Sequence, residues 1–200
     1  MNVGDIACGV AVTPDGKKVY VTNAGSNNVS IIDTTKKKVT STMYVESEPF
    51  GVAINPAGTK VYVTNIISNT VSVINTMTNT VIATVPVGSY PQAIAVSPDG
   101  TRAYVTNLVS NNVSVIDTAT NTVTSTVNVE NYPSGIEVNP KGTKVYVTNM
   151  GSKSVSVIGT ATNTVTSTVT VETGANGIAV NPDGTKVYLS NEYTNNVSVI

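Results

Sequence analysis

The chain is built from short runs in which apolar and polar residues alternate, and these runs are rich in Val, Ile and Thr. A representative stretch contains four of them, at 92–96, 102–107, 112–117 and 122–129. A period of two residues with β-branched side chains predicts half-buried β-strands. No long stretch has the apolar spacing of an amphipathic helix, so we expect an all-β fold.

The residues between these runs have the chemistry of tight turns. Segment 97–100 reads Ser-Pro-Asp-Gly, in which proline fixes φ and glycine tolerates a positive φ. Segment 117–121 supplies Asp and Asn, which bond to their own backbone and accept left-handed geometry. Each unit therefore predicts four antiparallel strands joined by hairpins.

This four-strand unit repeats every 42 residues without insertions or deletions. The tetrapeptide Tyr-Val-Thr-Asn begins at Tyr20, Tyr62, Tyr104 and Tyr146, and a Tyr-Leu-Ser-Asn variant begins at Tyr188. Four-stranded units repeated around an axis are typical of a β-propeller. We expect one propeller domain over residues 1–200, with blade units at about 6–45, 48–87, 90–129 and 132–171 and an incomplete unit at 174–200.

Small residues occur two apart in the first strand of most units. The pairs are Gly9 and Ala11, Gly51 and Ala53, Ala93 and Ala95, and Gly177 and Ala179. Residues two apart share one face of a strand. Because blades crowd together towards the axis of a propeller, this pattern predicts that the first strand is the innermost one.

Taken together, the Tyr-Val-Thr-Asn units, the preceding Ser-Pro-Asp-Gly turn and the following Val-Ser-Val-Ile-Asp strand resemble the YVTN β-propeller repeats of archaeal surface-layer proteins. The resemblance covers the whole chain. It implies an exported, cell-surface or extracellular protein, with seven blades per propeller and often further domains. Residues 1–3 nevertheless read as repeat sequence rather than as part of a signal peptide.

The repeat count leaves two possibilities for the ring. The chain holds about 4.75 blades, because the fifth unit lacks its fourth strand. We expect a segment of a larger, seven-bladed ring. The alternative is a five-bladed ring in which the stub Met1-Asn2-Val3 pairs with residues 196–200 and completes the last blade.

Composition narrows the classes of function. Charged residues make up 12% of the chain and the net charge is −1, which argues against nucleic-acid binding. The one basic run, 36–38, lies between two predicted strands and is interpreted as a solvated turn or as an anion contact.

No apolar run is long enough to span a membrane. Cys8 is the single cysteine and histidine is absent, which excludes disulfides within the chain and catalysis by histidine. We predict no metal site, no cofactor and no enzymatic activity.

The copies differ from one another mainly at one rim. Hairpins after the first and third strands share a monotonous rim, whereas the connections at the opposite rim diverge. One interpretation is a recognition face, because loops on a rigid scaffold often carry binding. The other is drift in loops under no packing constraint. The candidate partner-binding residues on this rim are Phe50, Ile67, Tyr90, Val109, Tyr132, Met150 and Tyr193.

Glu137 is the sharpest anomaly among the repeats. The equivalent positions hold Ala11, Ala53, Ala95 and Ala179. An unpaired carboxylate is costly to bury, so Glu137 is expected at a solvated position in the central channel. A contact with an ion or ligand and a local structural pairing are the alternatives.

Asn28, Asn112 and Asn196 each begin an Asn-Val-Ser triplet, which is an N-glycosylation acceptor pattern. Thr70 and Ser154 hold the equivalent positions, so the triplet is also explained as a by-product of the repeat.

The leading hypothesis is a non-catalytic structural or interaction module at the cell surface, which presents the variable rim to a protein or glycan. Self-assembly and contact with adjoining domains of a longer chain are further forms of the same hypothesis. The alternative is a propeller hydrolase of the lactonase type, with a metal held by carboxylates in the central channel.

Overall fold

The computed structural model describes residues 1–200, which form strands joined by short turns. There are nineteen strands in five antiparallel sheets. In chain order they are β1 (Ala7–Val12), β2 (Lys18–Asn23), β3 (Asn28–Asp33), β4 (Lys38–Tyr44), β5 (Pro49–Ile54), β6 (Lys60–Asn65), β7 (Thr70–Asn75), β8 (Thr80–Pro86), β9 (Pro91–Val96), β10 (Arg102–Asn107), β11 (Asn112–Asp117), β12 (Thr122–Asn128), β13 (Pro133–Val138), β14 (Lys144–Asn149), β15 (Ser154–Gly159), β16 (Thr164–Thr170), β17 (Ala175–Val180), β18 (Val187–Asn191) and β19 (Asn196–Val199).

The predicted all-β propeller architecture is confirmed. Four sheets have four strands in sequence order, and the fifth consists of β17, β18 and β19. The runs predicted at 102–107 and 112–117 coincide with β10 and β11, and the other two differ from β9 and β12 by one residue at one end. Period-two alternation therefore located these strands correctly.

The hydrophobic core lies between blades rather than within them. Tyr20, Val29 and Ile31 of the first blade form one buried cluster with Val61, Val63 and Ile74 of the second. Three further clusters join the second blade to the third, the third to the fourth, and the fourth to the fifth. Each blade therefore depends on its neighbours to bury its apolar faces.

The threonine of each Tyr-Val-Thr-Asn unit fastens one blade to the next. Thr106 Oγ1 accepts a hydrogen bond from the backbone N–H of Ala93, on the neighbouring strand of its own blade, at 3.0 Å. It donates to the carbonyl oxygen of Ser134 in the following blade at 2.9 Å. We call this arrangement the threonine bridge. Equivalent bridges run from Thr22 to Phe50, from Thr64 to Gln92 and from Thr148 to Asn176, at 2.6, 2.9 and 2.7 Å.

The bridge explains the small residues of the first strand. A Cβ atom added at Gly51 would collide with the carbonyl oxygen of Gln92, which is the acceptor of the bridge from Thr64. Gly9 and Gly135 meet the same obstacle, from Phe50 and Asn176. The innermost strands thus approach closely enough that this position holds only Gly or, in the third blade, Ala93, as the sequence predicted.

A cationic side chain joins neighbouring blades at the opposite end of the second strand. Lys60 Nζ donates to the carbonyl oxygen of Thr118 at 2.5 Å and to Oδ1 of Asn121 at 3.3 Å. Lys18 and Arg102 make the same contacts with the third hairpin of the following blade. The inter-blade contacts therefore include a polar bridge near each end of the second strand.

The five blades form an open arc. β19 pairs only with β18, so residues 1–3 do not complete the fifth blade and the five-bladed closure considered above is absent. The three-residue stub makes no backbone hydrogen bond with β19. Val10 and Val12 on the first blade are 66% and 55% exposed, and Val197 and Val199 on the last are 62% and 54% exposed.

Removing the threonine bridge should destabilise the fold. Replacing Thr106 by Val leaves the amide of Ala93 and the buried carbonyl of Ser134 without this partner, at an expected cost of about 1–3 kcal/mol. Thr106→Ser keeps the hydroxyl, as Ser190 does in the fifth blade, and should retain most of the stability. Urea unfolding of both variants measures the difference. Equal unfolding free energies for T106V and T106S would show that the bridge contributes nothing.

Candidate binding rim

Every residue proposed for partner binding lies at the same end of the blades. We call this end the upper rim and define it as residues 1–6, the inter-blade links 45–48, 87–90, 129–132 and 171–174, and the turns 24–27, 66–69, 108–111, 150–153 and 192–195. Phe50 lies at its inner edge, in β5. Exposed fractions are 56% for Ile67, 57% for Val109, 51% for Tyr132, 63% for Tyr193 and 38% for Phe50, whereas Tyr90 and Met150 are half-buried.

The upper rim varies in sequence but its backbone is held in the same way in successive blades. In the third unit, Oδ1 of Asn69 accepts a hydrogen bond from the amide of Tyr90 at 2.8 Å, and Oγ of Ser110 accepts one from Ser89 at 2.7 Å. Asn111 and Ser152 hold Tyr132 and Asn131 in the same way. The variable side chains thus project from fixed links rather than from free loops.

One position in each link has a left-handed backbone. Its φ is 54° at Ile6, 54° at Glu48, 61° at Tyr90, 55° at Tyr132 and 83° at Gly174. Only the last of these is glycine, the residue that this conformation favours, and a β-branched residue such as Ile6 is a rare occupant. Such a backbone costs on the order of 1–3 kcal/mol for a non-glycine residue, so these side chains are retained against a local conformational cost. Sequence analysis missed this column.

The left-handed position and the adjacent turn accommodate each other. The ring of Tyr132 lies over Gly151, where an added Cβ would collide with it. In the fifth blade the sizes are reversed, because Tyr193 covers Gly174 and its Cδ2 atom would lie 2.9 Å from an added Cβ. The fourth and fifth units therefore each display one tyrosine ring at this place. The ring comes from the left-handed link position in the fourth unit and from the turn in the fifth.

A pocket of about 250 Å³ opens on the upper rim where the first two blades meet the link that precedes the third. Six of its eight lining residues are apolar. It brings together the candidates Phe50 and Tyr90, and it adds residues that the sequence did not single out. The lining residues are Ile6, Cys8, Ala24, Gly25, Glu48, Phe50, Ile66 and Tyr90. The other five candidates, Ile67, Val109, Tyr132, Met150 and Tyr193, lie elsewhere on the rim.

The two ends of the propeller carry opposite charge, although the chain as a whole is close to neutral. The upper rim has one cationic side chain, Lys153, and six exposed carboxylates: Asp5, Glu46, Glu48, Glu130, Glu172 and Glu192. The opposite end, the lower rim, has five aspartates and ten cationic side chains: Lys17, Lys18, Lys36, Lys37, Lys38, Lys60, Arg102, Lys141, Lys144 and Lys186. The upper rim is therefore strongly acidic and the lower rim is strongly basic.

The lower-rim aspartates stabilise turns. Asp99 Oδ1 accepts hydrogen bonds from Ser97 Oγ at 2.5 Å and from the amide of Thr101 at 3.0 Å, and these bonds lower the pKa of Asp99. Hydrogen bonds likewise lower the pKa values of Asp15, Asp33, Asp117 and Asp183. The carboxylates thus serve the local hairpins, as expected for aspartates in turns. No group of three or more Cys, Asp or Glu side chains is placed to hold a metal ion.

Glu137 is half-buried in β13, and its carboxylate makes no hydrogen bond. Its neighbours Ile136 and Val138 pack towards the third blade, so strand alternation turns Glu137 towards the fifth blade. Ala95 packs against the following blade from the equivalent position. Burial raises the pKa of Glu137. Glu137 therefore lies half-buried on the face of its blade that is turned towards the fifth blade, and the solvated channel position stays a prediction.

The three candidate glycosylation sites differ in their surroundings. Asn28 is buried and its Oδ1 accepts a hydrogen bond from Asn23 Nδ2 at 2.7 Å. Asn112 is half-buried and makes the same contact with Asn107. Asn196 is exposed, although it accepts the equivalent bond from Asn191. The burial of Asn28 leaves little room for a glycan on its Nδ2 atom, whereas the bond at Asn112 engages only Oδ1.

A family model described as the YNCE-like beta-propeller matches residues 2–142. The chain belongs to the YNCE-like beta-propeller family. No curated protein sequence matches it.

Two solved structures are similar to this YNCE-like propeller. The structure titled "Kuenenia stuttgartiensis Hydrazine Synthase" has a TM-score of 0.87 and 27% identity over 94% of this chain. A functionally unknown protein from Desulfotomaculum acetoxidans DSM 771 has a TM-score of 0.86 and 20% identity over all of it. The chain spans 57% of the first and 70% of the second. No helix in the structure could cross a membrane.

Replacing Glu137 by Ala should stabilise this YNCE-like propeller at neutral pH. Removing an unpaired, half-buried carboxylate should raise the unfolding free energy by on the order of 1 kcal/mol. Because the pKa is raised in the folded state, the difference should be absent below the ordinary value of 4.5 and should grow as the pH rises through the folded-state pKa. Urea unfolding as a function of pH measures it.

The matched control for E137A is Glu130→Ala, which removes an exposed carboxylate from the link that precedes the same blade. E130A should change the unfolding free energy at pH 7 by less than about 0.5 kcal/mol, because the removed side chain is on the surface. A difference between E137A and wild type that is constant from pH 4 to pH 8 would contradict the buried environment of Glu137.

Proposed function

We propose that the chain is a non-catalytic interaction module, related to the YVTN propellers of archaeal surface-layer proteins, that works at the cell surface or outside the cell. Its upper rim binds a protein or a glycan, or a neighbouring copy or domain. The repeat chemistry supports the surface-layer type, and the family membership supports the propeller. The exposed aromatic and aliphatic side chains of the upper rim support the binding role.

One observation carries the proposal. Four link residues adopt the left-handed conformation that glycine favours, although none of them is glycine: Ile6, Glu48, Tyr90 and Tyr132. Most other left-handed positions of the chain that are not glycine are Asn residues in turns, whereas Ile, Glu and Tyr are uncommon in this conformation, and strained backbone clusters at functional sites. Gly174 shows that the fold accepts glycine in this column, so the backbone does not require the side chains at the other four positions.

The exposed aromatic and aliphatic side chains of the rim are suited to an interface. Tyrosine and other aromatic residues contribute large contact areas at low entropic cost and are enriched among hot spots. The links that hold them are pinned by hydrogen bonds, so little conformational freedom is lost on binding. The carboxylates of the lower rim, in contrast, are engaged in turn geometry.

The double substitution Tyr90→Ser with Tyr132→Ser should abolish most binding to the cell envelope of the host. Two lost aromatic anchors are expected to weaken binding by at least about tenfold. The measurement is a titration of immobilised protein with envelope proteins and, separately, with envelope glycans. Thermal unfolding of each variant establishes that the fold is intact.

The control is Met77→Ser, which removes an 84% exposed apolar side chain from the lower rim. M77S should bind as the wild type does. Binding that is unchanged in the tyrosine variant, or that is lost equally in M77S, would contradict a role for the upper rim.

A further inference from the structure

The apolar pocket of the upper rim is lined in part by the left-handed positions of the links. Three of its lining residues, Ile6, Glu48 and Tyr90, have the left-handed backbone described above. The amide of Glu48 donates to Asn27 Oδ1 at 2.9 Å and that of Tyr90 donates to Asn69 Oδ1 at 2.8 Å. The pocket is therefore shaped by backbone that is both conformationally costly and firmly held, which is the usual form of a preorganised site.

The size and lining of the pocket indicate its occupant. Its volume of about 250 Å³ lies below the roughly 300–1,000 Å³ of pockets that enclose small molecules. Its walls include Phe50, Ile66 and the Tyr90 ring, with Glu48 as the one charged side chain. A space of this kind fits a single aliphatic or aromatic side chain better than a sugar, because a sugar needs hydrogen-bond partners on most sides.

The charge around the pocket indicates which kind of residue flanks that side chain in the partner. Six exposed carboxylates lie on the upper rim and none of them is in a salt bridge, since the two ion pairs of the protein, Lys17 with Asp15 and Lys36 with Asp33, are on the lower rim. The one cationic side chain of the upper rim, Lys153, is on the fourth blade. A ligand approaching the pocket therefore meets negative potential, which attracts basic groups and repels acidic ones.

We propose that this pocket receives an aliphatic or aromatic side chain of an extended segment of a partner protein, and that Lys or Arg residues flank that side chain. The apolar side chain fills the space between Phe50 and Tyr90. The flanking cations pair with Glu48 and with the neighbouring acids Asp5 and Glu46. The inference rests on the proposed binding role of the upper rim and specifies the chemistry of its partner.

Cys8 provides a reporter for the test. It is the single cysteine, it is exposed, and it lines the pocket. A side chain that enters the pocket should therefore shield its thiol. The probe is the acetylated peptide Lys-Lys-Phe-Lys-Lys, and the measurement is the rate at which 5,5′-dithiobis(2-nitrobenzoic acid) modifies Cys8 as the peptide is titrated.

Saturating Lys-Lys-Phe-Lys-Lys should slow the modification of Cys8 by at least about fivefold, because a filled pocket excludes the reagent. Lys-Lys-Ser-Lys-Lys lacks the apolar side chain and Glu-Glu-Phe-Glu-Glu reverses the charge, and neither should protect the thiol. Equal protection by either control peptide, or protection by envelope oligosaccharides in place of the peptide, would overturn the proposal.

A charge reversal at the pocket should weaken the peptide and a matched reversal elsewhere should not. Glu48→Lys is expected to raise the apparent dissociation constant by about fivefold or more. Lysine is compatible with the backbone at this position, since Lys37 and Lys153 have φ values of 51° and 54°. Glu172→Lys makes the same change on the same rim, outside the pocket, and should alter the dissociation constant by less than about twofold.

The outcome separates this inference from the proposed function. If envelope binding is lost in the Tyr90 and Tyr132 double variant while the peptide fails to protect Cys8, the rim binds a partner of other chemistry and the pocket inference is wrong. If the double variant binds the envelope normally, the proposed function is wrong. If the peptide still protects Cys8 in the Glu48→Lys variant, the pocket inference is wrong.

Discussion

The hydrogen bond from a threonine hydroxyl to the first strand of the next blade is the interaction on which the rest of this structure depends. It links the backbones of two blades where they are closest, and the facing position holds only Gly or Ala: an added Cβ would collide at Gly9, Gly51 and Gly135. Close approach at the inner strands allows Tyr20, Tyr62 and Tyr104 to be buried completely against the next blade. The tyrosine and threonine of the repeated tetrapeptide thus form the contact between blades.

The asparagine that follows this threonine in the tetrapeptide stabilises the turn at the same end of the strand. Asn107 Nδ2 donates to Asn112 Oδ1 at 2.8 Å and to Ser114 Oγ at 2.9 Å, which braces the turn into the third strand. The same turn also holds the link to the next blade, because Asn111 Oδ1 accepts a hydrogen bond from the amide of Tyr132. Packing, turn and link therefore form one connected framework, and side chains that point away from it are free to differ between blades.

Much of this framework could be predicted from the sequence, because it repeats. The period located β10 and β11 to the residue, and the small residues of the first strand predicted the crowding that Gly51 and Gln92 show. The left-handed column could not be predicted, since Ile6, Glu48 and Tyr90 give no sign of a positive φ. Only the equivalent Gly174 hinted at it.

Charge and burial show the same limit. A net charge of −1 conceals an acidic rim and a basic rim until the strand connections assign each residue to one end. The column of Glu137 was recognised as anomalous, but which neighbour it faces depends on how the blades pack. Asn28 resembled a glycan acceptor because a triplet does not reveal that its side chain is used inside the blade.

The central claim is that a rigid backbone carries a variable upper rim, and amide hydrogen exchange tests it most directly. The amides of Asn131 and Tyr132 donate to Ser152 and Asn111, whereas the amide of Glu130 in the same link makes no hydrogen bond. We predict that Tyr132 exchanges slowly, on the timescale of strand amides in its blade, while Glu130 exchanges at the rate of a free loop. Equally fast exchange at Tyr132 and Glu130 would contradict the account.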